Sequence, residues 1–514
     1  MNMFVLFIIA LVPIIWLIVA MSVLKMPGWK ACVIALVLTF AIALGIKQMP
    51  VIDAATAALE GIANALWPII IVILAALFVY NSTLETGAME RIKAMLAGVS
   101  TDKRILMLLI AFGFGNFMEG MAGFGTAVAI PAGILVGLGF EPLIAVVVCL
   151  VINSTPTAFG SVGVPTNTMA NITGLNVVGI SSKVALIQLV VQFIIPFIAV
   201  IIMGKGAKAL KGIVPYILGA DIAYIVPQYI VASVIGPDLS NIIGAIVSMV
   251  VVIVMAMKMK APNDPEYMVA SSGKKLNISV KDAFVAWSPF VFIFLFLLLT
   301  STLVAPVHDF LMQASTTVQF YTGKNPATLT FAWIDTPGVL ILLAGLLGGA
   351  IQHESFGTSM RVLGRTVASN VKTMITICSV LAVAKIMGYS GMTSDISKVL
   401  VAVTGSAFPF ISPLIGTIGG FVTGSGTSTT ALFGAVQVQT AKAIGANQYW
   451  LAAGNLMGAG LGKMICPQSI AIGSAAVGLA GRESEIMGAV VKWTVIFTVI
   501  GGIICFLFPV IGLV

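Results

Sequence analysis

Residues 105–138 read ILMLLIAFGFGNFMEGMAGFGTAVAIPAGILVGL. Both ends are apolar enough for hydrocarbon, but the middle holds a run of glycines with Asn116, Glu119 and Thr126. A straight membrane helix is weak at its centre with that composition. A helical hairpin that enters and leaves on one side accommodates it, because non-helical backbone at membrane depth is tolerated where protein or water covers it. A second stretch, 404–440, is built alike around FVTGSGTSTT (421–430).

The composition puts these stretches in a bilayer. Of 514 residues, 59% are hydrophobic and 9% charged; soluble proteins carry about 45–50% apolar and about 25% charged residues. Too few charges remain to coat a soluble fold, which excludes soluble enzymes, nucleic-acid binders and secreted scaffolds. The net charge of +8 sits in short loops and not in a basic run with interleaved aromatics, so no nucleic-acid partner is expected. Cys32, Cys149, Cys378, Cys466 and Cys505 all lie in apolar segments and imply no disulfide framework. The run from Met3 to about Val23 has no small-residue cleavage site after it and reads as a retained helix.

A hydrocarbon core about 30 Å thick needs roughly 20 apolar residues per crossing. Candidate spans are 3–23, 30–46, 67–83, 142–170, 184–204, 213–235, 241–257, 284–305, 336–352, 370–388, 446–476 and 487–511. With 105–138 and 404–440 as re-entrant hairpins and the N-terminus outside, 17 of the 26 Lys and Arg fall inside. They are Lys25, Lys30, Arg91, Lys93, Lys103, Arg104, Lys205, Lys208, Lys211, the five lysines between 258 and 281, Arg361, Arg365 and Arg482. Five fall outside, and Lys372, Lys385, Lys463 and Lys492 lie within or beside spans. The asymmetry predicts an all-α polytopic protein with about twelve spans, two hairpins and both termini outside.

The two hairpins resemble each other. At an offset of 304 residues, Val99, Gly115, Phe117, Gly120, Thr126 and Ala127 meet Val403, Gly419, Phe421, Gly424, Thr430 and Ala431. Each hairpin is followed by a polar-interrupted span and then a long apolar one. This layout predicts a first repeat over 1–204, a two-helix insert and inside connector over 205–283, and a second, inverted repeat over 284–514. Inverted repeats are a transporter signature, with the substrate site near the midplane.

Four polar segments lie at that depth: GNFMEGMAGFGT (115–126), NSTPTAFGSVGVP (153–165), FVTGSGTSTT (421–430) and GKMICPQS (462–469). Breaks in repeat-related places imply one shared cavity, where half-helix N-termini and hydroxyls face a bound anion. The competing reading, that small residues only permit tight helix packing, accounts for scattered Gly and Ala but not for the Pro, Asn and Ser–Thr runs. The expected substrate-facing residues are Gly123, Gly125, Thr126, Asn153, Ser154, Thr155, Thr423, Ser425, Thr427, Ser428, Lys463 and Gln468. Glu119 is the expected proton-coupling group, since a carboxylate at mid-membrane costs about 2.5–3.5 kcal/mol on insertion scales and is usually functional; a partner for a substrate hydroxyl, or a structural hydrogen bond, is the alternative. Lys463 is expected to face a substrate carboxylate or to pair with Glu119, with snorkelling as the competing role. Lys385 is read as snorkelling, Asp221 as structural, and His308 and His353 as loop residues. No Walker loop, HExxH or GxSxG with a partner His occurs, so neither an enzyme nor a metal or cofactor is expected.

At FGFGNFMEGMAGFGTAVAI (112–130), LVGLGFEPL (135–143), NSTPTAFGSVGVP (153–165), FVTGSGTSTTALF (421–433) and GKMICPQSIAIGSAAVGLAGRES (462–484) the chain resembles the bacterial lactate permease family. Weaker likeness runs over nearly the whole chain. The resemblance implies uptake of L-lactate or related 2-hydroxymonocarboxylates such as glycolate, by proton symport across the plasma membrane. It also implies an elevator-like architecture of scaffold and transport domains, whose relatives are often dimers; the insert at 213–257 is available as an interface. The second hairpin departs from the family's common Gly-Ser-Asp-Thr-Ser pattern by Gly426 at the acidic position. A sodium-coupled carboxylate carrier is the nearest rival within transport, and a passive anion channel the rival from another class.

Overall fold

The computed structural model describes residues 2–24, 26–123, 125–259, 264–269, 279–324, 326, 328–480 and 482–513. Lys25, Lys260, Lys274 and Lys275 of the inside-charge count, and much of the connector at 258–283, lie outside the described residues. Among the described residues, 11 helices are long and apolar enough to cross a membrane, or 12 if a pair bent by 63° is one span. Apolar side chains alone satisfy the bilayer, while the backbone satisfies itself within each helix.

In chain order, α1 (Met3–Ile18) and α2 (Gly28–Gly45) precede α3 (Val51–Asn64) and α4 (Ile71–Glu85). The last two form one long kinked rod, because Trp67 (φ −136°, ψ 119°) leaves helical geometry between them. The sequence placed only 67–83 in this span; Asp53 and Glu60 lower the hydropathy of the first part. A short helix, α5 (Ala88–Ala97), follows. The first hairpin rises through α6 (Lys103–Met107), a π-helical stretch (Leu108–Phe114) and α7 (Gly115–Met121), and returns as α8 (Thr126–Gly137). The broken span is α9 (Pro142–Ile152) and α10 (Gly160–Thr173), and α11 (Val177–Met203) is the long helix after it. The insert is the antiparallel pair α12 (Val214–Val234) and α13 (Pro237–Lys258).

The second part runs through α14 (Val280–Leu299), α15 (Ala305–Met312), α16 (Pro337–Ile351) and α17 (Phe356–Tyr389). Then come α18 (Met392–Thr404), the second hairpin α19 (Phe408–Thr423) and α20 (Gly426–Ile444), the broken pair α21 (Gln448–Lys463) and α22 (Pro467–Ala476), and α23 (Glu483–Val510). Two antiparallel strands, β1 (Ser315–Gln319) and β2 (Thr328–Ala332), pair where the sequence indicated only a loop. His308 sits in α15, not in a loop, and its ring lies 2.7 Å from Asp335.

The order hairpin, broken helix, long helix therefore recurs. The broken helices begin at Pro142 and Gln448 and the long ones at Val177 and Glu483, each pair 306 residues apart. Ahead of the hairpins, Gly87 and Gly391, 304 residues apart, each hold a left-handed turn (φ 69° and 78°) before α5 and α18. Packing is reciprocal: α10 lies against α20 of the other hairpin, and α22 against α8 of the first. A second group of helices, α2, α3, α4, α14, α16 and α17, packs mainly on itself.

Glycines set the closest approaches. On α19 and α21, Gly416, Gly420, Gly458 and Gly462 bring backbone onto backbone; a Cβ at any of them would run into a carbonyl oxygen of the facing helix. This is the small-residue packing that membranes use in place of a hydrophobic driving force, so part of the glycine content serves packing and part serves the breaks. One expectation is overturned here. Lys385 does not snorkel: its ammonium is 2.6 Å from the buried Glu60, because α3 supplies the carboxylate at the same level.

Candidate functional site

Each break has a local cause. In the first hairpin, Gly123 (φ 61°) and Gly125 (φ 88°) turn the chain through conformations that side chains resist. A Cβ on Gly123 would collide with Ser161 Oγ, which instead donates to the Ala122 carbonyl at 2.8 Å. In the first broken span, Ser161 (φ 46°), Val162 (φ 55°) and Gly163 (φ 71°) are left-handed, so regular helix resumes near Val164. Left-handed non-glycine residues cost about 1–3 kcal/mol each and cluster at functional sites. In the second hairpin, Gly424 (φ 64°) ends α19, and Ser425 caps α20 by accepting the Ser428 amide at 3.2 Å. Pro467 forces the last break, since it has no N–H to continue α21.

The four breaks meet at one cavity of about 310 Å³. Gly125 at the start of α8, Val164 and Pro165 of α10, Ser425 to Ser428 of α20, and Gln468 and Ser469 of α22 all line it. Four helix N-termini thus present their positive ends to one space, an arrangement suited to an anion. The floor holds a charge pair: Lys463 Nζ is 2.6 Å from Glu119 Oε1, and Asn153 Nδ2 donates to Glu119 Oε2 at 2.9 Å. Glu119 is 2% exposed and Lys463 6%. Neither charge would persist alone at that depth, because desolvating an unpaired ion costs several kcal/mol. Gly160 makes room for the carboxylate; a Cβ there would lie 2.6 Å from Glu119 Oε1.

Of the residues expected at the site, Glu119, Gly125, Thr423, Ser425, Thr427, Ser428, Lys463 and Gln468 line the cavity. Gly123, Thr126, Asn153, Ser154 and Thr155 lie outside the lining. Asn153 acts through Glu119. Thr126 and Ser154 turn their hydroxyls onto backbone carbonyls, of Gly123 and Val151, each at 2.7 Å. Thr155 is buried at the break, and Gly123 makes the turn. Asp221 is buried on α12, away from the cavity.

The lining also includes Thr157, Ser161 and Ser469, which fall within the four polar segments, and Lys372, Thr373 and Thr376 of α17, which do not. The signal for the last three was a polar patch at i, i+1 and i+4 inside an apolar span, one helix face. Met21, Gly28 and Trp29 complete that wall.

Long apolar helices, interrupted hairpins and a partly open cavity that holds hydroxyls and a buried charge pair define a polytopic membrane transporter. The chain belongs to the L-lactate permease family, whose model matches residues 6–512. It is 41% identical over 447 residues to an L-lactate permease of Streptococcus iniae, covering 87% of this chain and 93% of that one. It is 34% identical over 525 residues to the L-lactate permease of Escherichia coli strain K12, covering 96% and 94%. To the glycolate permease GlcA of the same strain it is 35% identical over 534 residues, covering 97% and 95%.

Proposed function

We propose that this protein takes up L-lactate, or a related 2-hydroxymonocarboxylate such as glycolate, together with protons across the plasma membrane, with both termini outside. The observation that carries the reading is the Glu119–Lys463 pair, 2.6 Å apart, in a cavity ringed by helix N-termini. A substrate carboxylate and Glu119 compete for one ammonium. With Glu119 ionised, Lys463 is occupied. A proton taken up by Glu119 cancels its charge, releases Lys463 to the substrate carboxylate, and leaves the loaded site with no added net charge. The N–H ends of α20 and hydroxyls such as Ser425 and Ser428 supply donors for the remaining carboxylate and 2-hydroxyl oxygens. Proton and substrate then bind with positive coupling, which is the thermodynamic content of symport.

The reciprocal packing of α10 on α20 and of α22 on α8 supports inverted repeats related by a pseudo-two-fold axis through the cavity. The separate packing group that includes α2, α3 and α17 supports an elevator, in which the hairpins and broken helices move against that group. The outward apolar face of α12, with Ile222, Val226 and Ile230 exposed, supports a homodimer through the insert.

Reconstituted vesicles test the reading. L-Lactate should accumulate against its gradient when the outside is acidified, and a protonophore should abolish this. Glu119→Gln should keep lactate–lactate exchange and lose acid-driven accumulation. Uptake that needs sodium and ignores the proton gradient would overturn the coupling, and flux without trans-stimulation would mark a passive pore.

A further inference from the structure

The cavity holds a second cation. Lys372, on α17, lines it with Thr373 and Thr376. Lys463 is neutralised by Glu119, but Lys372 has no carboxylate within ion-pair distance among the described residues. The Thr376 hydroxyl is turned back onto the Lys372 carbonyl at 2.9 Å, so it does not offer its proton to the cavity. Lys372 is exposed, whereas Lys463 is buried. The two lysines also belong to different parts of the molecule. α17 packs on α2 and α3, where Gly61 lets α3 reach the α17 backbone, while Lys463 ends α21 against the second hairpin.

An exposed, unpaired ammonium at a cavity wall raises the local concentration of anions and speeds their encounter, with little effect once the ligand is bound deeper. Resting on the carboxylate-uptake reading above, whose topology puts the α1–α2 turn of this wall inside, we propose that Lys372 is the capture residue of the inside-facing entrance, drawing a carboxylate that arrives from that side into the cavity before Lys463 is released from Glu119. Because α17 is not part of the hairpin body, this contact is made in the state seen here and left behind when the hairpins move. Lys372 is therefore a positioning residue for loading, and Lys463 the cation that travels with the substrate.

The test compares Lys372→Gln and Lys372→Arg with the unaltered protein in inside-out membrane vesicles, where this wall meets the added substrate, measuring initial L-lactate uptake at low and high ionic strength. At low salt, Lys372→Gln should raise KM roughly tenfold, the low end of electrostatic steering, with the maximal rate nearly kept. High salt should raise the KM of the unaltered protein toward that of the variant, since screening removes what the substitution removes. Lys372→Arg should restore KM. Lactamide, the uncharged analogue, should compete for uptake equally well in all three. If Lys372→Gln shows the same KM and salt dependence as the unaltered protein, the capture role is overturned while the uptake reading stands. If Lys372→Arg fails to rescue, or lactamide competition shifts as much as lactate, Lys372 is only structural. If the unaltered protein takes up no monocarboxylate at all, the reading beneath the proposal fails with it.

Discussion

Glu60 with Lys385 and Glu119 with Lys463 are the same chemical pair at the same 2.6 Å separation, each with a buried carboxylate, yet their surroundings differ. Around Glu60 the remaining acceptor capacity is filled by the Tyr389 hydroxyl, 3.1 and 2.9 Å from the two oxygens, and the Tyr321 ring stacks on Tyr389 at 3.7 Å. Beside it, Gly61 seats α3 on the α17 backbone at Ala382. Around Glu119 the second oxygen is held by a neutral amide, Gly160 leaves space at the first, and a cavity of about 310 Å³ opens on the lysine. One pair is closed by protein partners, although the Lys385 side chain is slightly more exposed than that of Lys463 (12% against 8%), and it fixes two helices to each other. The other is satisfied but accessible, so a ligand or a proton can exchange with either partner. Burial of a charge pair alone thus does not mark a site; the site is where the pair meets space and unspent donors.

The largest expected difference comes from removing one lysine of each pair. Lys385→Met strands the buried Glu60 without its cation and should destabilise the protein by about 3–5 kcal/mol, the range for an orphaned buried charge. Thermal unfolding in detergent reads this directly. Replacing both Glu60 and Lys385 by leucine should recover most of the loss, since apolar packing substitutes for a closed pair. Lys463→Met leaves Glu119 beside a cavity, where it can take a proton. Its melting temperature should fall much less, while kcat/KM for lactate drops about 10- to 100-fold, as losing a hydrogen bond to a charged group requires. Equal melting losses in the two variants would erase the distinction.

The same contrast shows what the sequence could carry. The breaks were legible because a straight membrane helix does not place Gly, Pro, Ser and Thr together in the middle of its apolar run, and Glu119 and Lys463 stood out as charges inside such breaks. The Glu60–Lys385 pair was not legible. Its partners are 325 residues apart, and a lysine near a helix end looks the same whether it snorkels or meets a carboxylate from another helix. Glu60 even hid its own helix by lowering the hydropathy of 51–64. Lys372 was missed for a related reason: the polar patch it makes with Thr373 and Thr376 marks a wet face of α17, but not that this face meets the breaks of distant helices. Local chemistry could be read from the residues, whereas any feature that needs two distant segments at one height required the fold.

A smaller and more selective contrast lies in two glycines. A Cβ at Gly61 would sit 2.5 Å from the Ala382 Cα, which is backbone and cannot yield. Gly61→Ala should therefore cost about 1–3 kcal/mol by overpacking, seen as a lower melting temperature with lactate KM unchanged. At Gly160 the intruding Cβ would meet the end of a flexible carboxylate instead, at 2.6 Å. Gly160 is extended (φ −65°, ψ 153°), so alanine fits the backbone. Gly160→Ala should melt near the unaltered protein and act on function. Pushing Glu119 aside loosens its hold on Lys463, so lactate should bind roughly threefold more tightly, about 0.7 kcal/mol. The same displacement weakens the competition that ties substrate to proton, so exchange should rise while acid-driven accumulation falls. Tighter binding with intact accumulation would mean that Glu119 and the substrate do not share Lys463, and the open pair would then be as structural as the closed one.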